Sequence, residues 1–207
     1  MARTRWSQVV IVVIGGVVVA ALAWAWLFAS RPGAFWNRAA VAGLVIGAYG
    51  AVAQRDRLGD LLRPTALDVA IGVAAAAVLY GVFWAGNRMI ARFLPALAQE
   101  VAGLYAIRGV ARPTRMVAVL VVVGPCEEIF WRGFVQSRAG MVVALVGYAA
   151  VHLWERKAVL VLAAVVGGAA WAALFSWRTT LVAPIICHAL WDLAVVVWFP
   201  FRPPEEE

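Results

Sequence analysis

The chain has 207 residues, 65% of them hydrophobic and only 14% charged, and the apolar residues come in long blocks rather than at amphipathic spacing. This composition excludes a soluble domain and points to an all-α, polytopic membrane bundle. The net charge of +7 would suit a nucleic-acid binder, but the arginines sit in short connectors between apolar blocks, where they act as topology determinants and lipid-headgroup contacts.

The first apolar block, residues 9 to 29, follows Arg3 and Arg5. It is too long for the core of a signal peptide and runs into "SRPG" without a small-residue cleavage site, so it is read as a retained first helix. Blocks at 37 to 53 and 66 to 86 come next, with proline and glycine at the joins 31 to 33 and 63 to 64. Residues 89 to 107 form an apolar run interrupted by Arg92, Pro95 and Glu100, which either crosses the membrane or lies along its surface. Four further blocks follow at 116 to 137, 139 to 154, 158 to 177 and 179 to 200.

The positive-inside rule bears on the uncertain stretch. If 89 to 107 crosses and the N-terminus is cytoplasmic, Arg3, Arg5, Arg55, Arg57, Arg63, Arg108, Arg112, Arg115, Arg156, Lys157 and Arg202 are inside, against Arg31, Arg38, Arg88, Arg138 and Arg178 outside. If it does not cross, the bias reverses. The expectation is therefore about eight crossings, with seven as the alternative, and both termini cytoplasmic. The division is residues 1 to 110 as accessory helices, 111 to 200 as the chemical core and 201 to 207 as a polar tail. Cys126 and Cys187 lie within apolar blocks and lack the CxxC spacing of a zinc site.

An ionisable group at mid-membrane costs about 2.5 to 3.5 kcal/mol on insertion scales, so each is a functional hypothesis. Three clusters stand out in the C-terminal half. In "GPCEEIFWRGF", residues 124 to 134, Glu128 and Arg132 share a helix face and can pair, while Glu127 is turned about 100° aside and remains free to act as a base. Gly124 and Pro125 would loosen this helix and open its backbone groups. In "YAAVH", Tyr148 and His152 share a face; taken alone, a histidine bonded to a backbone carbonyl is the simpler reading. In "HALWD", His188 and Asp192 are again four apart, and the carboxylate could fix the imidazole tautomer or the pair could bind a proton or a metal. One shared polar cavity explains all three, and such a set supports hydrolysis by a carboxylate-activated water.

The order Glu-Glu-x-x-x-Arg, aromatic-x-x-x-His and His-x-x-x-Asx, in "EEIFWR", "YAAVH" and "HALWD", resembles the CAAX protease and bacteriocin-processing (CPBP or ABI) family over residues 116 to 200. That family consists of multi-helix intramembrane endopeptidases, including enzymes that trim prenylated CAAX proteins and bacterial members tied to bacteriocin maturation, self-immunity and sorting signals. The resemblance implies that Glu127 and His152 activate water, that His188 and Asp192 stabilise the oxyanion, and that Glu128 with Arg132 holds the site in shape. Tyr148 stands where phenylalanine is usual, and Asp192 where many members carry asparagine. An ionised carboxylate cannot donate to an oxyanion, so Asp192 must be protonated or serve His188 instead.

No cofactor is expected on this reading. The nearest rival is a zinc-dependent hydrolysis with His152, His188 and Glu127 or Asp192 as ligands, although HExxH spacing is absent. A proton-coupled transporter and a catalytically idle immunity protein are the readings from other classes. The transporter is disfavoured because the intramembrane polar residues gather in one half of the chain and no inverted repeat is visible. The arginine-rich, lysine-poor composition suits a GC-rich bacterium. The expected partners are therefore the bilayer of a bacterial cytoplasmic membrane and a membrane-associated protein or peptide substrate, with no nucleic acid.

Overall fold

The structure is a computed structural model and describes residues 2–29 and 31–201; the tail expected over 201 to 207 lies outside the described residues from 202 onward. Among the described residues there are helices and connecting turns and no strands, the all-α membrane bundle that the composition implies. In chain order the elements are α1 (Ala2–Phe28), a 3-10 turn (Pro32–Ala34), α2 (Phe35–Ala53), the short α3 (Arg55–Leu61), α4 (Ala66–Phe93), α5 (Pro95–Tyr105), and a second 3-10 turn (Ala106–Val110). Then come α6 (Pro113–Glu128), a π-helical stretch (Ile129–Gln136) and α7 (Ser137–Ala139), followed by α8 (Met141–Val151) with a 3-10 turn (His152–Glu155). The last elements are α9 (Ala158–Arg178) and α10 (Val182–Asp192), which a π-helical turn (Leu193–Trp198) prolongs.

Apolar runs of this kind pair all their backbone groups within the helix, which is the condition that lipid imposes. Pro32, Pro95 and Pro113 each stand in the first turn of a helix, where a missing N–H costs nothing. Pro125 is inside α6, and the π-helical stretch begins four residues beyond it. Gly140, at φ 88°, sits in the left-handed region and makes the break between α7 and α8.

Residues Gln8–Phe28, α4 and α9 are each long and apolar enough to cross a membrane, and Met141–Glu155 and Val182–Trp198 are shorter apolar helices. The stretch 89 to 107 does not form one crossing helix. Its start belongs to α4, which stops at Phe93 before Pro95, and α5 has only 11 residues. At 1.5 Å per residue α5 spans about 16 Å, roughly half of the hydrocarbon core. Pro95 ends the preceding helix at Leu94 because its ring disfavours helical geometry in the residue before it.

Contacts along the bundle define two ends. At one end Tyr49 Oη donates to Val12 O, Arg138 to Ala53 O, and Arg178 pairs with Asp68. At the other, Arg38 donates to Trp26 O, Trp36 Nε1 to Ile107 O, and Tyr105 Oη to Val195 O. Phe201 lies at this second end, where its N–H donates to Tyr105 Oη, whereas α1 starts at the first. The start of α1 and Phe201 are thus on opposite ends of the bundle, where the expectation of both termini on one side rested on a crossing at 89 to 107; the C-terminus itself lies outside the described residues.

The helices behind the site approach closely because small residues face their neighbours. A Cβ on Gly47 would lie 2.6 Å from Cys126 Sγ, and one on Gly50 would lie 3.0 Å from Phe130 Cα, so α2 packs directly onto α6 and its π-helical continuation. Gln54 closes the junction by donating to Ile129 O at 2.8 Å.

Candidate active site

Glu127 and Glu128 end α6 just where the backbone passes into π geometry, and they point in different directions as the helical offset requires. Glu128 is fully buried. Its Oε2 lies 3.3 Å from Arg132 Nε, and its Oε1 accepts from His188 Nδ1 at 2.8 Å. The carboxylate therefore joins α10 to the π-helical segment. Because Glu128 can only accept, the proton of that bond sits on Nδ1, which leaves His188 Nε2 facing Asp192 Oδ2 at 3.6 Å.

Arg132 is sealed in as thoroughly as its partner. It donates through Nη2 to Gly168 O at 3.0 Å, and its guanidinium lies 4.8 Å from the Tyr148 ring centre and 5.6 Å from that of Trp171. Gly168 makes this possible, since a Cβ there would lie 2.9 Å from Tyr148 Cδ1. One turn further on, Gln136 donates to Ala172 O at 3.0 Å, so Arg132 and Gln136 bind successive turns of α9 in register.

Glu127 has a different setting. It is nearly buried, its Oε2 has no protein hydrogen-bond partner, and no cation is paired with it among the described residues. It lines a cavity of about 880 Å³, which Tyr148, His152, His188 and Asp192 also line. His152 opens the 3-10 turn after α8 and donates through Nδ1 to Tyr148 O at 2.8 Å. This fixes the neutral tautomer with an unprotonated Nε2, available to accept a proton within the cavity.

The three motifs thus meet, but with divided places. Glu127, Tyr148, His152, His188 and Asp192 border the cavity, while Glu128 and Arg132 form the wall behind it. His188 and Asp192 share a face, yet the strong hydrogen bond of His188 goes to Glu128 and not to Asp192. Trp171 was not legible in the sequence as a site residue: it stacks on the His188 ring at 3.6 Å and 13°, holding the imidazole plane. Nor was the contribution of the N-terminal helices, whose Trp24 and Phe28 approach His152 at 6.3 and 6.4 Å between ring centres. Only an apolar, aromatic-rich composition marked those residues beforehand.

The zinc alternative asks for three converging donors. Among the described residues no three His, Cys, Asp or Glu side chains are gathered in a way that could hold a metal ion. One nitrogen of each histidine is already engaged with a protein oxygen, Tyr148 O for His152 and Glu128 for His188.

Residues 110–194 match a family model described as Rce1-like, type II CAAX prenyl endopeptidase Rce1-like. No curated protein and no solved structure matches the chain. The matched stretch contains all three motifs, with Glu127, Glu128, Arg132, Tyr148, His152, His188 and Asp192, and its description is similar to that of the family the motifs resemble.

Proposed function

We propose that this chain, CAAX-protease-like over residues 110–194, is an intramembrane endopeptidase that cleaves a membrane-associated protein or peptide by glutamate-activated water. The observation that carries the reading is the meeting of Glu127, His152 and His188 on one cavity, with Glu127 unpaired and Glu128 held back in the wall. Glu127 takes a proton from water, assisted by His152 Nε2, and the hydroxide attacks the scissile carbonyl carbon. His188, charged and held by Glu128 through Nδ1, donates Nε2–H to the developing oxyanion, and Asp192 favours that charged form. The proton on Glu127 then passes to the leaving amine nitrogen as the C–N bond breaks.

The cavity opens at the end of the bundle that carries Arg31, Arg38, Arg88, Arg92, Arg108, Arg112, Arg115, Arg156 and Lys157. Among the described side chains, the opposite end carries Arg55, Arg57, Arg63, Arg138 and Arg178. We take this surplus to favour a cavity mouth on the cytoplasmic side of a bacterial inner membrane, with the substrate drawn from that face. The test is turnover by the full chain in lipid nanodiscs, offered prenylated CAAX-type peptides and membrane-anchored bacterial peptides and read by product mass. A new C-terminus at a single bond is the expected result; absence of hydrolysis across both peptide sets would contradict it.

A further inference from the structure

The cavity that holds the candidate catalytic groups also holds two basic side chains away from them, Arg108 and Lys157. Lys157 is neutralised by Glu155, whose Oε1 lies 2.9 Å from Nζ. Arg108 has no such partner: among the described residues no carboxylate pairs with it. Among the described residues its one hydrogen bond is a long one, from Nη2 to Val197 O at 3.5 Å, and its buried Nε has no acceptor there. Most of the guanidinium's donor capacity is therefore left unused by the described residues, on a half-buried side chain that lines the cavity.

The position of Arg108 is also fixed from several sides. It sits on the 3-10 turn Ala106–Val110, which Trp36 anchors by donating to Ile107 O at 3.0 Å. The neighbouring Tyr105 donates to Val195 O at 2.8 Å, and its ring centre lies 5.9 Å from the guanidinium. A planar five-donor group so held is suited to a carboxylate, which it can meet with two parallel hydrogen bonds.

Resting on the protease reading, we propose that Arg108 is the anion-binding residue of the substrate cavity and receives the terminal carboxylate of the peptide. A peptide whose last residues lie along the apolar walls would then have its end at Arg108 and an internal bond at Glu127. Arg108 then acts as a binding residue outside the chemical step.

The test compares three forms of one prenylated CAAX-type peptide, with a free C-terminal carboxylate, with a C-terminal amide, and as an amide whose last side chain is glutamate. Binding to full-length Glu127→Gln protein in nanodiscs is read by fluorescence polarisation, and turnover by the unsubstituted chain by mass. The free acid should bind at least about tenfold more tightly than either amide. Arg108→Gln should erase this preference, Arg108→Lys should restore part of it, and the turnover difference should appear in KM with kcat little changed. Recovery of binding by the glutamate amide would give the subsite to side-chain carboxylates and overturn the assignment to the terminus. Equal binding of acid and amide, no binding of either, or a preference that survives Arg108→Gln would overturn the proposal outright. Selective binding without hydrolysis would instead contradict the protease reading and leave Arg108 as the anion site.

Discussion

His188 Nδ1 lies 2.8 Å from Glu128 Oε1, while the other oxygen of the same carboxylate faces Arg132 Nε at 3.3 Å. Glu128 is thereby the joint between α10, the π-helical segment and, through Arg132 and Gly168, α9. Removing one member of a buried pair leaves an uncompensated charge, at a cost of about 3 to 5 kcal/mol. Arg132→Met should therefore lower the thermal unfolding temperature of the protein sharply. Adding Glu128→Gln to Arg132→Met should recover part of the loss, because the orphaned anion is then gone. A double variant no more stable than the single one would contradict this account of the wall.

Asp68 and Arg178 make a second clasp at the far end from the cavity mouth, 2.8 Å apart, with Thr65 Oγ1 donating to the other Asp68 oxygen at 2.6 Å. Asp68 is fully buried, whereas the Arg178 side chain is 23% exposed. The two truncations should thus be unequal. Arg178→Ala strands a buried carboxylate and should destabilise by about 3 kcal/mol or more, whereas Asp68→Ala leaves an arginine that can turn to water and should cost less. Thermal unfolding of the two variants measures the order. Turnover per folded molecule should stay near the starting value in both, since neither side chain borders the cavity.

The orientation can be read by cysteine labelling in intact cells. Cysteine introduced in place of Asp56, between α2 and α4, should react with an impermeant maleimide from outside. Cysteine in place of Arg156, at the cavity end, should react only after permeabilisation. The reverse pattern would place the cavity mouth on the outer face and contradict the charge-based orientation.

With Glu127 as the base, chelation has nothing to remove. EDTA should leave peptide hydrolysis unchanged within a factor of about two, because no step depends on a bound ion. Loss of turnover that zinc restores would favour the metal reading of His152 and His188.

The sequence carried the helical membrane architecture and the polar groups in it, because uncompensated charges in apolar runs have few innocent explanations. It could not carry which neighbours those groups choose. Four-residue spacing puts Asp192 beside His188, but Glu128, 60 positions away in the chain, makes the 2.8 Å bond, and only the packing of α10 on α6 brings it there. Asp68 passed unnoticed because it opens an apolar block as the third residue after the Thr65 cap, a position where a carboxylate has an ordinary role. Trp171 gave no signal at all, since one tryptophan of 11 in a greasy chain reads as lipid-facing until its stack on His188 is seen. The stretch 89 to 107 misled because its apolar content suits a crossing, whereas Pro95 decides the matter locally by ending α4 and leaving α5 too short.

The most direct measurement is peptide hydrolysis by the Glu127→Gln protein in nanodiscs, alongside unsubstituted protein of equal thermal stability. Glutamine keeps the shape of the carboxylate and removes its basicity. The account predicts a fall in kcat of about 100- to 10,000-fold, with binding of the peptide retained. Hydrolysis by Glu127→Gln at the unsubstituted rate would contradict the assignment of Glu127 as the base.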